Sequence, residues 1–235
     1  TGVQTCALPI YLCGYPKSTV FGLLTTMRLH DVVTQTPEGK YTLGLRLFEY
    51  GRQVERSWDI SRVARPYMEH LCRQTGASVM LSVCEGGSVI TLDQVETRGG
   101  LRVVSDTGSR LPIYCTSQGK VFLAHMSRSG AEALLRGQSL TQFTPHTITD
   151  IPALLQEAEA CRANGYAIEN GEYKIGLRSI SAPVRTVEGK VRYAVGVIGM
   201  FRSVHSEEFH AAVEQVCATA AMISAALGYQ SNPAG

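Results

Sequence analysis

Apolar positions recur at helical spacing across residues 16–30. Val20, Leu23, Leu24 and Met27 make one stripe behind Pro16, a residue suited to a first helical turn. Lys17, Ser18, Phe21, Gly22 and Thr25 fall toward the other face. The period then shortens: residues 32–36 and 40–43 read as two small strands, and Pro37-Glu38-Gly39 supplies the turn between them. A helix followed directly by a small hairpin is the order of a winged helix-turn-helix. Residues 45–58 form a further helical stretch that reads as a connector.

From Asp59 the texture changes. Ile60, Val63, Ala64, Tyr67, Met68 and Leu71 mark an amphipathic helix, and residues 77–96 read as two strands around Gly86-Gly87. "LRVVS" (101–105) predicts another short strand. Helices are expected near Ser117–His125, Ser129–Leu135 and Ile151–Asn164, the last stopped by Gly165. Residues 178–201 give two more strands around Glu188-Gly189, and Ser206 with Glu207 and Glu208 starts a helix that runs to about Leu227. At least five strands, grouped by hairpins and backed by helices, predict an α+β unit with a mostly antiparallel sheet.

Composition narrows this picture only a little. In 235 residues, 44% are apolar and 18% charged, an ordinary globular balance, and the net charge of +2 neither demands nor excludes nucleic acid. No apolar run approaches the roughly 20 residues of a membrane helix. Cys6, Cys13, Cys72, Cys84, Cys115, Cys161 and Cys217 are odd in number and form no CxxC pair, which favours scattered core thiols in a reducing cytoplasm over disulfides or a zinc site. Cys115, Ser117, His125, Glu169 and Glu172 are the enzyme-like residues, but no GxSxG, HExxH, P-loop or GxGxxG motif accompanies them. Taken alone, Glu169 and Glu172 also read as solvated residues of a Gly-rich turn, and Lys120 as a charge pointing to solvent. No catalytic residue, metal site or cofactor is expected.

"GYPKSTVFGLL", followed by "HDVVTQTPEGKYTLGLRLFEYG", resembles the second half of the winged-helix domain of IclR-family transcription regulators. "RLPIYCTSQGKVFLA", "NGYAIENGEYKIGLRSISAPV" and "VGVIGMF" resemble that family's effector-binding domain in order and spacing, so the likeness runs from Gly14 to about Gly228. It implies a partial winged helix-turn-helix over 11–44, a linker helix over 45–58, a GAF-like effector-binding domain over 59–228 and a disordered tail over 229–235. It further implies roughly 30–40 residues before Gly14 that would complete the helix-turn-helix. The opening "TGVQTCALPI" (1–10) resembles a translated sequencing adapter and reads as an artefact on a truncated chain; a divergent natural terminus is the alternative.

The resemblance assigns roles. Lys17, Ser18, Thr19, Phe21 and Thr25 on the recognition helix and Lys40 on the wing would face operator DNA, with Arg28 near the backbone. Read without it, a Lys-Ser-Thr helix start is a capping feature. Gly22 removes a possible contact there and weakens the helix by about 1 kcal/mol relative to Ala. The effector would meet the loop and helix start Thr116, Ser117, Gln118 and Gly119, whose N–H groups suit a carboxylate. Glu169 and Ser179 match positions beside the ligand, and Val103, Leu111 and Leu177 match its apolar wall. Gly196 and Ile198 stand where members that bind very small oxoacids carry Ser, which predicts a roomier, greasier pocket and a larger organic acid, aromatic ones included. Family members are homodimers or dimers of dimers. The implied function is a cytoplasmic regulator that binds operator DNA in its natural full-length form, rather than tightly as the truncated chain, and is controlled by a small organic acid; a sensor module without DNA binding is the alternative.

Overall fold

The computed structural model describes residues 13–50, 59–97 and 107–230. It divides into two compact units at Asp59 and Ile60.

The first unit is small. Helix α1 (Lys17–Leu29) starts behind Pro16, whose carbonyl accepts the Val20 N–H at 3.1 Å, and buries only Val20 and Leu24 of its apolar stripe. Leu23 and Met27 stay exposed. Strands β1 (Val33–Gln35) and β2 (Tyr41–Leu43) pair antiparallel, with Thr34 opposite Thr42. The turn closes through Thr36 N–H to Lys40 carbonyl and Gly39 N–H to Thr36 carbonyl, and Gly39 takes the positive φ that this turn requires. Arg28 Nη1 donates to Gln35 Oε1 at 2.7 Å and so ties the helix to the hairpin. The chain then crosses itself closely: a Cβ on Gly44 would overlap the Asp31 carbonyl. Beyond it the backbone is helical at 45–50, the start of the expected connector, whose remainder lies outside the described residues.

The second unit is built on a six-stranded antiparallel sheet in the order β5-β4-β3-β8-β7-β6. Its elements are α2 (Asp59–Thr75), β3 (Ser78–Glu85), β4 (Ser88–Val95), β5 (Arg110–Pro112), α3 (Ser117–His125), α4 (Arg128–Arg136), α5 (Ile151–Asn164), β6 (Ala167–Asn170), β7 (Arg178–Arg185), β8 (Val191–Gly199) and α6 (Glu207–Ala226). Six strands meet the expected minimum of five; β5 and β6, which the sequence pattern did not mark, are edge strands of three and four residues, too short to show a period. The expected strand 101–105 lies outside the described residues, as do residues 1–10.

Helix ends follow their caps. Thr116, Ser127, Asp150 and Ser206 each accept a backbone N–H at the start of α3, α4, α5 and α6, and Gly165 closes α5 in the left-handed conformation. One sheet face is apolar, with Val79, Leu81, Val83, Ile180, Val184, Val195 and Val197 all buried. The other face carries Ser78, Met80, Ser179, Ser181 and Gly196, and α3 lies on it, buried from Ser117 through Ala124.

Candidate functional sites

The exposed side of α1 carries Lys17, Ser18, Thr19 and Thr25, with Phe21 38% exposed. Its first turn holds no acidic residue and no side chain caps it, so the N-terminal amides face outward without a partner from Pro16. Lys17 Nζ sits 5.9 Å from the Phe21 ring centroid, a cation–π contact. Gly22 is open: nothing lies within 4 Å of where its Cβ would be. Lys40 is exposed at the hairpin end.

In the second unit, register lines up two rows of side chains on the face beneath α3. In one, Glu169, Ser179, Ile198 and Ser78 are successive cross-strand partners; in the next, Ala167, Ser181, Gly196 and Met80. Partners on antiparallel strands share a face, so each row points toward α3. Ser117 Oγ meets Ser181 Oγ at 2.7 Å, and Gln118 Nε2 approaches Met80 Sδ at 3.8 Å.

Glu169 is almost fully buried. Its Oε1 accepts the N–H groups of Glu172 at 2.5 Å and Tyr173 at 3.1 Å, and its Oε2 accepts Ser179 Oγ at 3.1 Å. Burial pushes its carboxyl above the ordinary value of 4.5, and these hydrogen bonds pull against that rise. Glu172 is raised likewise by burial, against the pull of Lys120. Lys120 Nζ reaches Glu172 Oε1 at 2.5 Å, Glu157 Oε2 at 3.2 Å and the Ile168 carbonyl at 3.3 Å. Two hydroxyls on the same sheet face, Ser78 Oγ and Ser82 Oγ, are buried with no partner among the described residues. An orphan hydroxyl in such a place is costly unless something polar meets it. The site therefore offers the amides of Ser117 and Gln118 at a helix start, the Ser78 hydroxyl and a buried carboxyl. Among the described residues no His, Cys, Asp and Glu cluster is arranged to hold a metal.

The family model described as "Bacterial transcriptional regulator IclR C-terminal" matches residues 52–225. The chain belongs to the IclR family. It is 34% identical over 219 residues to the Escherichia coli K12 HTH-type transcriptional regulator XynR, covering 93% of this chain and 87% of that protein. It is 31% identical to the repressor AllR of the same strain, covering 93% and 81%. An IclR homologue from Microbacterium hydrocarbonoxydans, solved in complex with 4-hydroxybenzoate, superposes with a TM-score of 0.80 at 25% identity, over 96% of this chain and 92% of that one. The chain is thus a transcriptional regulator rather than an enzyme, with a helix-turn-helix portion and a GAF-like effector domain. No helix among the described residues is long and apolar enough to cross a membrane.

Against that IclR frame, the structure gathers part of the expected effector set. Glu169, Ser179, Gly196 and Ile198 share the face described, Ser117 and Gln118 of α3 pack on it, and Leu177 is buried just before β7. Val103 lies outside the described residues. Leu111 sits on β5, at the opposite sheet edge from Glu169, and packs into the core around Ile113 and Val121. Thr116 has no hydroxyl to spare: it accepts from Gly119 N–H at 3.2 Å and donates to the Pro112 carbonyl at 2.9 Å. Gly119 lies so close to Ile113 that a Cβ would overlap that carbonyl, so it is a packing glycine. Gly196 does not enlarge the site, because the Ser181 side chain fills the space a Cβ would take.

Two readings of charge are also overturned. Lys120, expected to face solvent, is 3% exposed, and Glu169 and Glu172, expected alternatively as solvated, are buried with it. Sequence reasoning missed Ser78 and Ser181. Both alternate with apolar residues along their strands, and that alternation was the available signal. Cys115 is buried with its thiol pushed up to about 12, chiefly by burial, and is chemically quiet. His125 uses Nδ1 to donate to the Val121 carbonyl at 2.9 Å and ends α3 as a structural group.

Proposed function

We propose that this IclR-family regulator binds duplex operator DNA through α1 and the β1–β2 wing, and that a small organic acid bound beneath the start of α3 sets its affinity. The observation that carries the effector assignment is the start of α3, Ser117 and Gln118, packed on the sheet face that holds the buried Glu169 carboxyl and the Ser78 hydroxyl, which has no partner among the described residues. A carboxylate docks at the helix start, where the dipole and free N–H groups favour an anion. Ser78 and Glu169 then meet hydroxyl or carbonyl groups elsewhere on the ligand. Ile198 supplies an apolar wall, which favours acids carrying a ring or a short chain. The relative holding 4-hydroxybenzoate supports that class.

On the DNA side, Lys17, Ser18, Thr19 and Thr25 are exposed together on α1, and Lys40 is exposed on the wing. Phosphate contacts from Lys17, Lys40 and the α1 amides fix register, and the hydroxyls read base edges. Phe21 supports Lys17. We assign the acting form as a cytoplasmic homodimer or dimer of dimers, to be checked by sedimentation.

The test uses the full chain. Thermal stability is measured with 4-hydroxybenzoate, 4-hydroxybenzamide, glyoxylate and pyruvate, and operator sequences are selected from random duplex DNA with and without the acid. The expected result is stabilisation by 4-hydroxybenzoate, loss of that effect in S78A, and an acid-dependent change in the recovered DNA. Tight binding of a two- or three-carbon oxoacid with none of 4-hydroxybenzoate overturns the ligand class. Consumption of the acid overturns the regulator reading.

A further inference from the structure

A second concavity lies away from the effector face, at the edge of the sheet. Strand β6 pairs with β7 only from Arg178 to Ser181. From Ala182 to Arg185, β7 has β8 on one side and no strand on the other among the described residues. Helix α6 runs alongside, and between them is a cleft of about 240 Å³. Ala182, Pro183, Ala220, Ala221, Ala225 and Tyr229 are among the residues that line it.

Among the described residues, Arg185 is the only charged one lining it. The guanidinium is held but not neutralised. Nη1 donates to the Gly189 carbonyl at 3.0 Å, Nη2 donates to His125 Nε2 at 3.4 Å, and Cζ stands 5.9 Å from the Tyr229 centroid. No carboxylate lies within ion-pair distance of it among the described residues. Two of its five N–H donors are used, so three remain. His125 adds no competing acceptor of negative charge, and burial, with Arg185 and Arg162 nearby, holds it below its ordinary value of 6.5. Cys217 lines the same cleft, and burial raises its thiol, so it stays neutral and does not repel an anion.

An added peptide strand is disfavoured here. Pro183 has no N–H to offer, and the Arg185 N–H is already taken by Ser224 Oγ at 2.9 Å. The volume is also below the roughly 300–1,000 Å³ that holds drug-sized ligands, which selects a single ring or a short chain.

We propose that this cleft binds a small monocarboxylate with an apolar tail, its carboxylate on the free fork of Arg185 and its tail against the α6 alanine methyls. The cleft is distinct from the effector site: none of Ser78, Ser117, Gln118 or Glu169 lines it, and although Pro183 shares the face of Ser181, Ala182 points to the opposite side of the sheet.

The experiment is a benzoate titration of the full chain labelled at alanine methyls and followed by NMR. Saturable shifts are expected at Ala182, Ala220, Ala221 and Ala225. The methyls of Ala167 and Ala194, on the effector face, report independently on binding there. R185A should weaken the cleft shifts by at least about tenfold in Kd. R185K, which keeps charge but loses the fork, should fall between. A221F should block the cleft sterically with Arg185 intact, which decides the matter if R185A folds poorly. Benzyl alcohol should give no saturation. Absence of saturable shifts in the unmodified chain, or shifts that survive both R185A and A221F, overturns the proposal.

Discussion

Ser117 Oγ and Ser181 Oγ stand 2.7 Å apart, and through them the first residue of α3 is joined to the middle of β7. Both are fully buried. S181A therefore strands the Ser117 hydroxyl and should cost about 1–3 kcal/mol, whereas S117A/S181A should recover part of that loss. Urea denaturation of the two single variants and the double variant measures the coupling directly.

Lys120 is the keystone of a charge cluster, with the buried Glu172 at 2.5 Å and the exposed Glu157 at 3.2 Å. K120M leaves Glu172 buried without its cation and should destabilise by about 3–5 kcal/mol. K120M/E172L removes both charges and should be markedly more stable than K120M alone. Equal stability of those two variants in chemical denaturation would count against the cluster's role.

Glu169 binds its proton more tightly in the folded chain than in the unfolded one, because burial raises its carboxyl above 4.5. The folded state thus carries more protons than the unfolded state between those two values, and stability falls as pH rises through that window. Its ionisation penalty is complete above the raised value and is relieved as pH drops through that value toward 4.5. E169Q should flatten this part of the stability–pH curve. Thermal melts of both proteins at stepped pH check the sign.

Glycines divide by what surrounds them. Gly22 has open space, so G22A should stabilise α1 by about 1 kcal/mol. Gly44 and Gly119 have carbonyls where a Cβ would go, so G44A and G119A should each destabilise their own unit by about 1–3 kcal/mol or more. Hydrogen exchange resolved by unit distinguishes these effects.

Thiol reactivity should rank by burial. Cys13 is exposed, whereas the thiols of Cys115 and Cys161 are each pushed up to about 12. Site-resolved alkylation at neutral pH should label Cys13 first and leave Cys115 and Cys161 untouched until the chain unfolds.

Much of this architecture was legible before any coordinates. Long amphipathic stretches announce themselves by period, and Asp150, Ser206 and Gly165 mark helix ends through local chemistry that acts within one turn. The hairpin turns at Pro37-Glu38-Gly39, Gly86-Gly87 and Glu188-Gly189 are equally local. Short edge strands are not. Arg110–Pro112 and Ala167–Asn170 become strands because a neighbour offers hydrogen bonds, and three or four residues hold too little pattern to show it.

By itself, then, the sequence determined the element order, the antiparallel hairpins, the helix starts and the family pattern, because each rests on residues adjacent along the chain. Only tertiary structure decided which polar groups are buried together. Lys120 and Glu172 are 52 positions apart and Ser117 and Ser181 are 64 apart, yet each pair is in contact. The same packing that filled the space at Gly196 with Ser181 left Ser78 without a partner among the described residues and set Arg185 beside an apolar cleft. Burial and charge pairing are properties of surroundings, and a chain acquires surroundings only when distant segments meet.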